Sequence, residues 1–366
     1  MYFDFQVPRF ISTHKMLSSF GLVQPFCPRN FHVWPAATEH RVFWLGARER
    51  RRPEGSAPLP PPLPVPPMGG HQVDPQWQAG CSSTKPPSEE LVEELARQMP
   101  ALAGRPLERP CFHETGWRPG QRFTAAEDPD RTRMPWAPPA FALEGSAGAA
   151  QREHLTAEAD ELELPTGAAG SFARVVRGVL CDEECAELLA HVNAKGFTPA
   201  LVNMGGDLQQ LMPHYRDGHR VIVDSPEVAA RLFEALRPHL PDQLPNGSRL
   251  VELNERLRFL CYTPGQVFEE HRDGRYVRPK GHPRAGDWSF VTVQVYLHDV
   301  PEDCGGATTF YPGRGSAVAY QPEAGSALLF TQDLPHEGSL VKAGIKYTLR
   351  TEAMYSPSRT KFGGRH

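Results

Sequence analysis

Alternation of apolar and polar residues is sharpest in Phe290-Val-Thr-Val-Gln-Val-Tyr-Leu297. Val291, Val293, Val295 and Leu297 fall on one face and Phe290, Thr292, Gln294 and Tyr296 on the other, which is the two-residue period of a strand. The same kind of pattern predicts strands over 256–263, 266–271, 288–298, 307–311, 316–321, 326–331 and 346–355. Upstream, 172–180 also reads as a strand. Asp182 then opens a helix in which Cys185, Leu188, Leu189 and Val192 recur at i, i+3, i+4 and i+7, and Gly196 stops it. A further strand is predicted over 219–224. After it Ser225 caps and Pro226 begins a helix carrying Val228, Leu232 and Leu236. Two helices followed by closely spaced strands predict an α+β, mainly β fold: a sandwich or barrel with helices packed outside.

Before about Gly170 this periodicity is scarce, and there the 38 prolines and 32 glycines concentrate. Such a segment buries too little apolar area to offset its ordering entropy. Residues 1–165 are therefore expected to be low in complexity and mostly disordered or loosely packed, 166–358 to form the folded domain, and 359–366 to be a tail. Within the first region, Arg48 to Arg52 is expected to be a solvated arm. The polyproline stretch 57–67 suits a semi-rigid linker or a ligand for a partner that binds Pro-rich motifs. Ser88 to Met99 predicts one short helix, capped by Ser88, with Leu91 and Leu95 on a shared face.

Charge and cysteine content narrow the function. A formal net charge of -4 over 366 residues provides no global basic field, so nucleic acid is not the expected partner. Seven irregularly spaced cysteines do not resemble a disulfide framework and suit a reducing compartment, with a cytoplasmic location expected. No run reaches the roughly 18 apolar residues of a membrane span, so no membrane is expected. Arg9, Lys15 and Arg29 against Asp4 weakly resemble an organelle presequence, while Pro8, Pro25 and Pro28 argue against a secretory signal.

The candidate chemistry begins with His271 and Asp273, two apart in a strand-like context and so on one face. With 15 histidines and 43 acidic residues, roughly two such His-x-acid pairs arise by chance. The pair gains weight from His336, placed where a later strand can fold back beside it. Two imidazoles and one carboxylate on one face of an ion form the triad of non-haem Fe(II) oxygenases. His214, His282 and His298 are read as bystanders, His298 as a loop or edge residue. Cys185 is read as core, and Cys181 as no metal ligand without a second Cys or His pair.

These residues resemble the 2-oxoglutarate and Fe(II) dependent dioxygenases, in particular the prolyl 4-hydroxylase-like group. Tyr262 stands nine residues before His271, His271-Arg-Asp273 matches the HxD pair, Thr292 lies in a T-x-x-x-Y-L strand, Gly305 to Phe310 resembles a G-G-x-T-x-F turn, and Lys346 follows His336 by ten. Ala307 stands where an acid is common, and Cys181 where a serine cap is common. The resemblance covers about 174–355. It implies a double-stranded β-helix (jelly-roll) core with supporting helices on one side, Fe(II) on His271, Asp273 and His336, and 2-oxoglutarate, O2 and ascorbate as cosubstrates. The far carboxylate of 2-oxoglutarate needs a buried cation and donors. Lys346 is the expected cation and Tyr262 and Thr292 the donors, with Arg350 a competitor that could instead bind substrate or pair with Glu352.

The implied reaction is hydroxylation of a protein or peptide side chain with release of succinate and CO2. Open alternatives are a small-molecule or nucleic-acid substrate, and a non-catalytic metal-binding barrel or interaction scaffold. Arg272, Arg275, Arg278, Lys280 and Arg284 form a basic stretch beside the site, expected to be solvated surface or, less simply, to recognise an acidic peptide or a phosphate. The glycine-bearing stretch 203–220 is a lid candidate.

Overall fold

The computed structural model describes residues 86–124, 137–142, 157–162, 164, 170–205, 208–313 and 316–358. The expectations for 48–52, 57–67 and 359–366 lie outside the described residues. In chain order the elements are α1 (Glu89–Arg97), β1 (Arg122–Thr124), β2 (Glu158–Glu161), β3 (Ala173–Arg177), α2 (Asp182–Lys195), β4 (Thr198–Pro199), β5 (Val202–Gly205), β6 (Leu208–Gln210), β7 (His219–Asp224) and α3 (Pro226–Leu236). The strand-rich part follows as β8 (Arg249–Leu253), β9 (Arg256–Tyr262), β10 (Phe268–His271), β11 (Trp288–Tyr296), β12 (Thr308–Gly313), β13 (Ser316–Tyr320), β14 (Ala327–Thr331), β15 (His336–Gly338) and β16 (Lys346–Ser356).

Two antiparallel sheets make the core. The larger runs β2-β3-β14-β11-β16-β9-β7-β4, with β8 also on β16, and the smaller runs β10-β15-β12-β13. Alternation along β11 decides what each face meets. Val291, Val293 and Val295 pack with Leu188, Leu189 and Leu232 of α2 and α3. Tyr296, on the other face, packs with Phe310 and Tyr320 of the smaller sheet and with Leu328 and Phe330. The result is a jelly-roll core with helices on one side. Burying both faces of the large sheet excludes water from the space between the sheets, where a polar site then gains electrostatic strength.

Local signals explain the helices. The Ser225 hydroxyl accepts from Val228 N–H at 3.3 Å, with Pro226 in the first turn; α2 ends at Gly196, whose φ of +78° suits glycine. Arg231 of α3 donates to both carboxylate oxygens of Glu184 in α2 at 3.1 Å, a buried pair that ties the two helices.

The strands β1, β2, β4, β5, β6, β8 and β15 were not predicted, because they are short and seldom alternate. The lid candidate is in part a hairpin: β5 pairs with β6, and β6 with β1. His298 lies in the loop that follows β11, as expected, but is buried there; its Nε2 accepts from Tyr347 N–H at 3.0 Å.

Residues 86–124 pack on the domain. In α1 the buried positions are Val92, Leu95 and Ala96, followed by Met99, the i, i+3, i+4, i+7 set, whereas Leu91 is 49% exposed. The face therefore differs from the Leu91–Leu95 stripe expected. Leu95 and Met99 join the same apolar cluster as the helices and β16, and the Tyr347 hydroxyl donates to Glu108 O at 3.0 Å. Leu95→Ala should cost about 2–5 kcal/mol in urea unfolding, while Leu91→Ala should stay within about 0.5 kcal/mol of the parent.

Candidate active site

Antiparallel pairing of β10 and β15 sets His271 directly opposite His336, and Phe310 of β12 flanks His336 on its other side. Directly paired residues send their side chains to the same face. The two imidazole centroids are accordingly 4.3 Å apart. Asp273 follows two residues after His271, its N–H donating to Gln332 O at 3.0 Å. One ligand atom from each of His271, Asp273 and His336 lies within 4.8 Å of the others.

Hydrogen bonds select the atoms that converge. His271 Nδ1 faces Glu269 O at 2.7 Å and His336 Nδ1 faces Leu334 O at 3.0 Å. A carbonyl accepts only, so each Nδ1 carries the proton and each Nε2 keeps a lone pair. Both Nε2 atoms stand 3.8 Å from an Asp273 oxygen. Burial, then the neighbouring His336, lowers His271 to about 3 despite Asp273, and burial also lowers His336. The rings are thus neutral, and the 3.8 Å approaches are converging donors rather than ion pairs.

Asp273 is held at both oxygens. Thr292 Oγ1 donates to Oδ2 at 2.5 Å and Arg350 Nη2 to Oδ1 at 2.7 Å. Burial alone would raise its pKa, but the Arg350 guanidinium, with the Thr292 bond, holds it well below the usual carboxylate range. Two neutral imidazole lone pairs and one ionised carboxylate fit a divalent cation, and no fourth His, Cys, Asp or Glu among the described residues joins the group. That donor set matches the open 2-His-1-carboxylate type rather than a closed structural zinc site.

A pocket of about 410 Å³, including its open mouth, continues from this centre. Its walls include Lys346, Tyr262, Gln294, Thr308, Thr348, Arg350 and Arg216. Lys346 is paired across β9 and β16 with Tyr262, and its Nζ lies 6.0 Å from the Tyr262 and Tyr296 rings. Among the described residues its ammonium donates to Ala307 O alone, at 3.4 Å, and burial lowers it to about 7. Gly218 admits the Tyr262 ring, since a Cβ there would lie 2.6 Å from a ring carbon.

Residues 257–351 match the family described as 2OG-Fe(II) oxygenase superfamily. The match runs from β9 into β16 and takes in all three converging ligands. A comparison with curated proteins found no match. Among solved structures, this chain is similar to a viral collagen prolyl hydroxylase of Paramecium Bursaria Chlorella virus-1 in its 2OG complex, with 21% identity, a TM-score of 0.36 and coverage of 51% of this chain and 98% of that one. It is also similar to a Trichoplax adhaerens prolyl hydroxylase in complex with a hypoxia inducible factor peptide fragment, at 17% identity and TM-score 0.39, covering 52% and 84%. HygX from Streptomyces hygroscopicus, with nickel, 2-oxoglutarate and hygromycin B bound, gives 16%, 0.33, 51% and 83%.

Of the predicted pocket residues, Lys346, Tyr262 and Arg350 line the pocket, whereas the Thr292 hydroxyl is directed to Asp273. Arg350 also lies 3.8 Å from Glu352, which Arg258 and Asn254 already engage at 2.8 and 2.9 Å. Gln294, Thr308 and Arg216 were missed. Gln294 Nε2 and Tyr296 Oη both donate to Thr308 Oγ1, at 2.9 and 2.8 Å. Gln294 shares the Thr292 face and was legible from alternation; Arg216 reaches the pocket from the β6–β7 connection by tertiary folding alone.

The basic stretch 272–284 is largely engaged internally. Arg278 is 2% exposed and pairs with Glu252 and Glu255, Arg284 bonds Asp287 at 2.7 Å, Arg275 covers the Trp288 ring at 4.3 Å, and Arg272 bonds Asp333 O. His282 pairs with Glu255 at 3.3 Å, and His214 is exposed. In calorimetric Mn(II) titration, His336→Ala should lose metal binding. His298→Ala, which removes a buried acceptor, should keep it while costing about 1–3 kcal/mol in stability.

Proposed function

We propose that the chain is an Fe(II)- and 2-oxoglutarate-dependent dioxygenase that hydroxylates a side chain of a peptide or protein, releasing succinate and CO2. The observation that carries this reading is the convergence of His271 Nε2, His336 Nε2 and an Asp273 oxygen, with both Nδ1 protons already committed to backbone carbonyls. His271, Asp273 and His336 would hold the metal. When bound, Fe(II) with 2-oxoglutarate supplies activation of O2 for insertion of one oxygen atom into a C–H bond, coupled to decarboxylation of the cosubstrate.

The remaining residues prepare that centre. Thr292 and Arg350 orient the Asp273 carboxylate and keep it ionised. Lys346 meets the far carboxylate of 2-oxoglutarate, with the Tyr262 hydroxyl as a donor, and the Gln294–Tyr296–Thr308 network stiffens that end of the pocket. The buried phenyl rings of Phe310 and Phe330 beside His336 exclude water from the ligand side.

Anaerobic addition of Fe(II) and 2-oxoglutarate should produce a visible metal-to-ligand charge-transfer band, and air should convert 2-oxoglutarate to succinate. Asp273→Ala should lose both; an Asp273→Ala protein that retained iron and turned over at the parent rate would sink the ligand assignment.

Lys346 gives a separate pH signature. Burial depresses its pKa to about 7, so in the free protein it is mostly neutral at pH 8.5 and charged at pH 6. A bound carboxylate favours the charged form and raises the pKa again. Binding of 2-oxoglutarate to the Mn(II) protein should therefore take up about one proton at pH 8.5 and little at pH 6, read by calorimetry in buffers of different ionisation enthalpy. Lys346→Met should abolish the uptake and weaken binding.

A further inference from the structure

We infer that the primary substrate presents a carboxylate to Arg216, which makes Arg216 the specificity-determining residue of the pocket; this rests on the oxygenase reading above. Arg216 is 8% exposed and lines the pocket wall that His271 and His336 share. Its Nη1 donates to Leu201 O at 3.0 Å and it hydrogen-bonds Tyr262. Its buried Nε–H has no hydrogen-bond partner among the described residues. The guanidinium lies over the Phe268 ring at 4.6 Å, and Phe268 stacks on His271 at 3.6 Å, which sets the cation one ring away from a metal-binding imidazole.

Charge makes the missing partner specific. Burial, Arg220 and Arg350 all disfavour its charge, and Tyr262 favours it. A guanidinium buried among cations without an anion is costly. Lys346 is a second buried cation whose pKa is moved by burial alone. One 2-oxoglutarate, with its other carboxylate on the metal, has a single free carboxylate and can satisfy one of the two. Lys346 sits beside Gly306 and Ala307 at the start of β16, whereas Arg216 sits at the Phe268 end beside His271. The anion for Arg216 therefore comes with the molecule to be oxidised. The acidic-substrate expectation attached to the 272–284 stretch moves to this buried side chain, because the arginines of that stretch are already engaged.

The test uses three matched heptapeptide libraries that differ at one position, Glu, Gln or Lys, with a fourth arm carrying phosphoserine there. The Lys arm is a control, since Glu269 and Glu337 also lie near the site and interact with each other. Products are read as a gain of 16 Da, and 2-oxoglutarate affinity is measured separately on the Mn(II) protein. The Glu library should be hydroxylated in preference to the others. Arg216→Gln should lower kcat/KM on the Glu library about ten- to a hundredfold, collapse the Glu-over-Gln preference and keep the 2-oxoglutarate Kd, with Arg216→Lys restoring part of the preference. A merely structural role would not move that ratio.

Equal or greater use of the Gln, Lys or phosphoserine libraries would overturn the proposal, as would no product from any library. A rise in 2-oxoglutarate Kd in Arg216→Gln matching that of Lys346→Met would overturn it by making Arg216 a cosubstrate anchor. Failure of the parent protein to bind 2-oxoglutarate at all would instead overturn the oxygenase reading, and this inference with it.

Discussion

Everything at the site depends on the register of β10 against β15. The His271–His336 pair fixes two imidazoles side by side, and the carbonyls of Glu269 and Leu334 take their Nδ1 protons. Shifting either strand by one residue would turn its histidine to the opposite face and bring Glu270 or Glu337 inward instead. Register is guarded on both sides: Phe310 of β12 pairs with His336, and Phe268 stacks on His271. The metal-binding geometry is thus a property of strand pairing before it is a property of side chains.

The second dependence is electrostatic. Asp273 carries the one negative charge among the three ligands and sits buried, so it is stable only because Arg350 and Thr292 engage its two oxygens. Arg350 belongs in turn to a chain of charges through Glu352 to Arg258. A buried cation facing a carboxylate already committed to a metal is less well compensated than one facing a free carboxylate. The Glu352 contact keeps Arg350 partnered in either case.

What was legible in the sequence follows from what is local. The long strands of the barrel, the two helices with their Ser225 and Gly196 signals, and the convergence of His271, Asp273 and His336 all rest on alternation, caps and fixed offsets. What was missed rests on tertiary contact. Strands of two or three residues carry too few positions to display a period, so β4 and β6 were invisible. In α1 the shared face was assigned to Leu91 and Leu95, but docking selected Val92, Leu95, Ala96 and Met99. Arginines illustrate the limit best: the four in 272–284 and Arg216 look alike in a sequence, and only packing separates Arg278, enclosed by Glu252 and Glu255, from Arg216, buried without an acid partner among the described residues.

The same packing gives residues 86–124 a mechanical connection to the pocket. Along β16, Lys346, Thr348 and Arg350 face the pocket, while the alternate residues Tyr347 and Leu349 belong to the helix-side core. Tyr347 is gripped from that side by the Glu108 carbonyl on its hydroxyl and by His298 on its N–H, and Met99 packs over Gly344 just before the strand begins. A strand cannot shift one face without the other. The position of Lys346 is consequently set as much by a segment far upstream in sequence, outside the matched span 257–351, as by the barrel strands that pair with it.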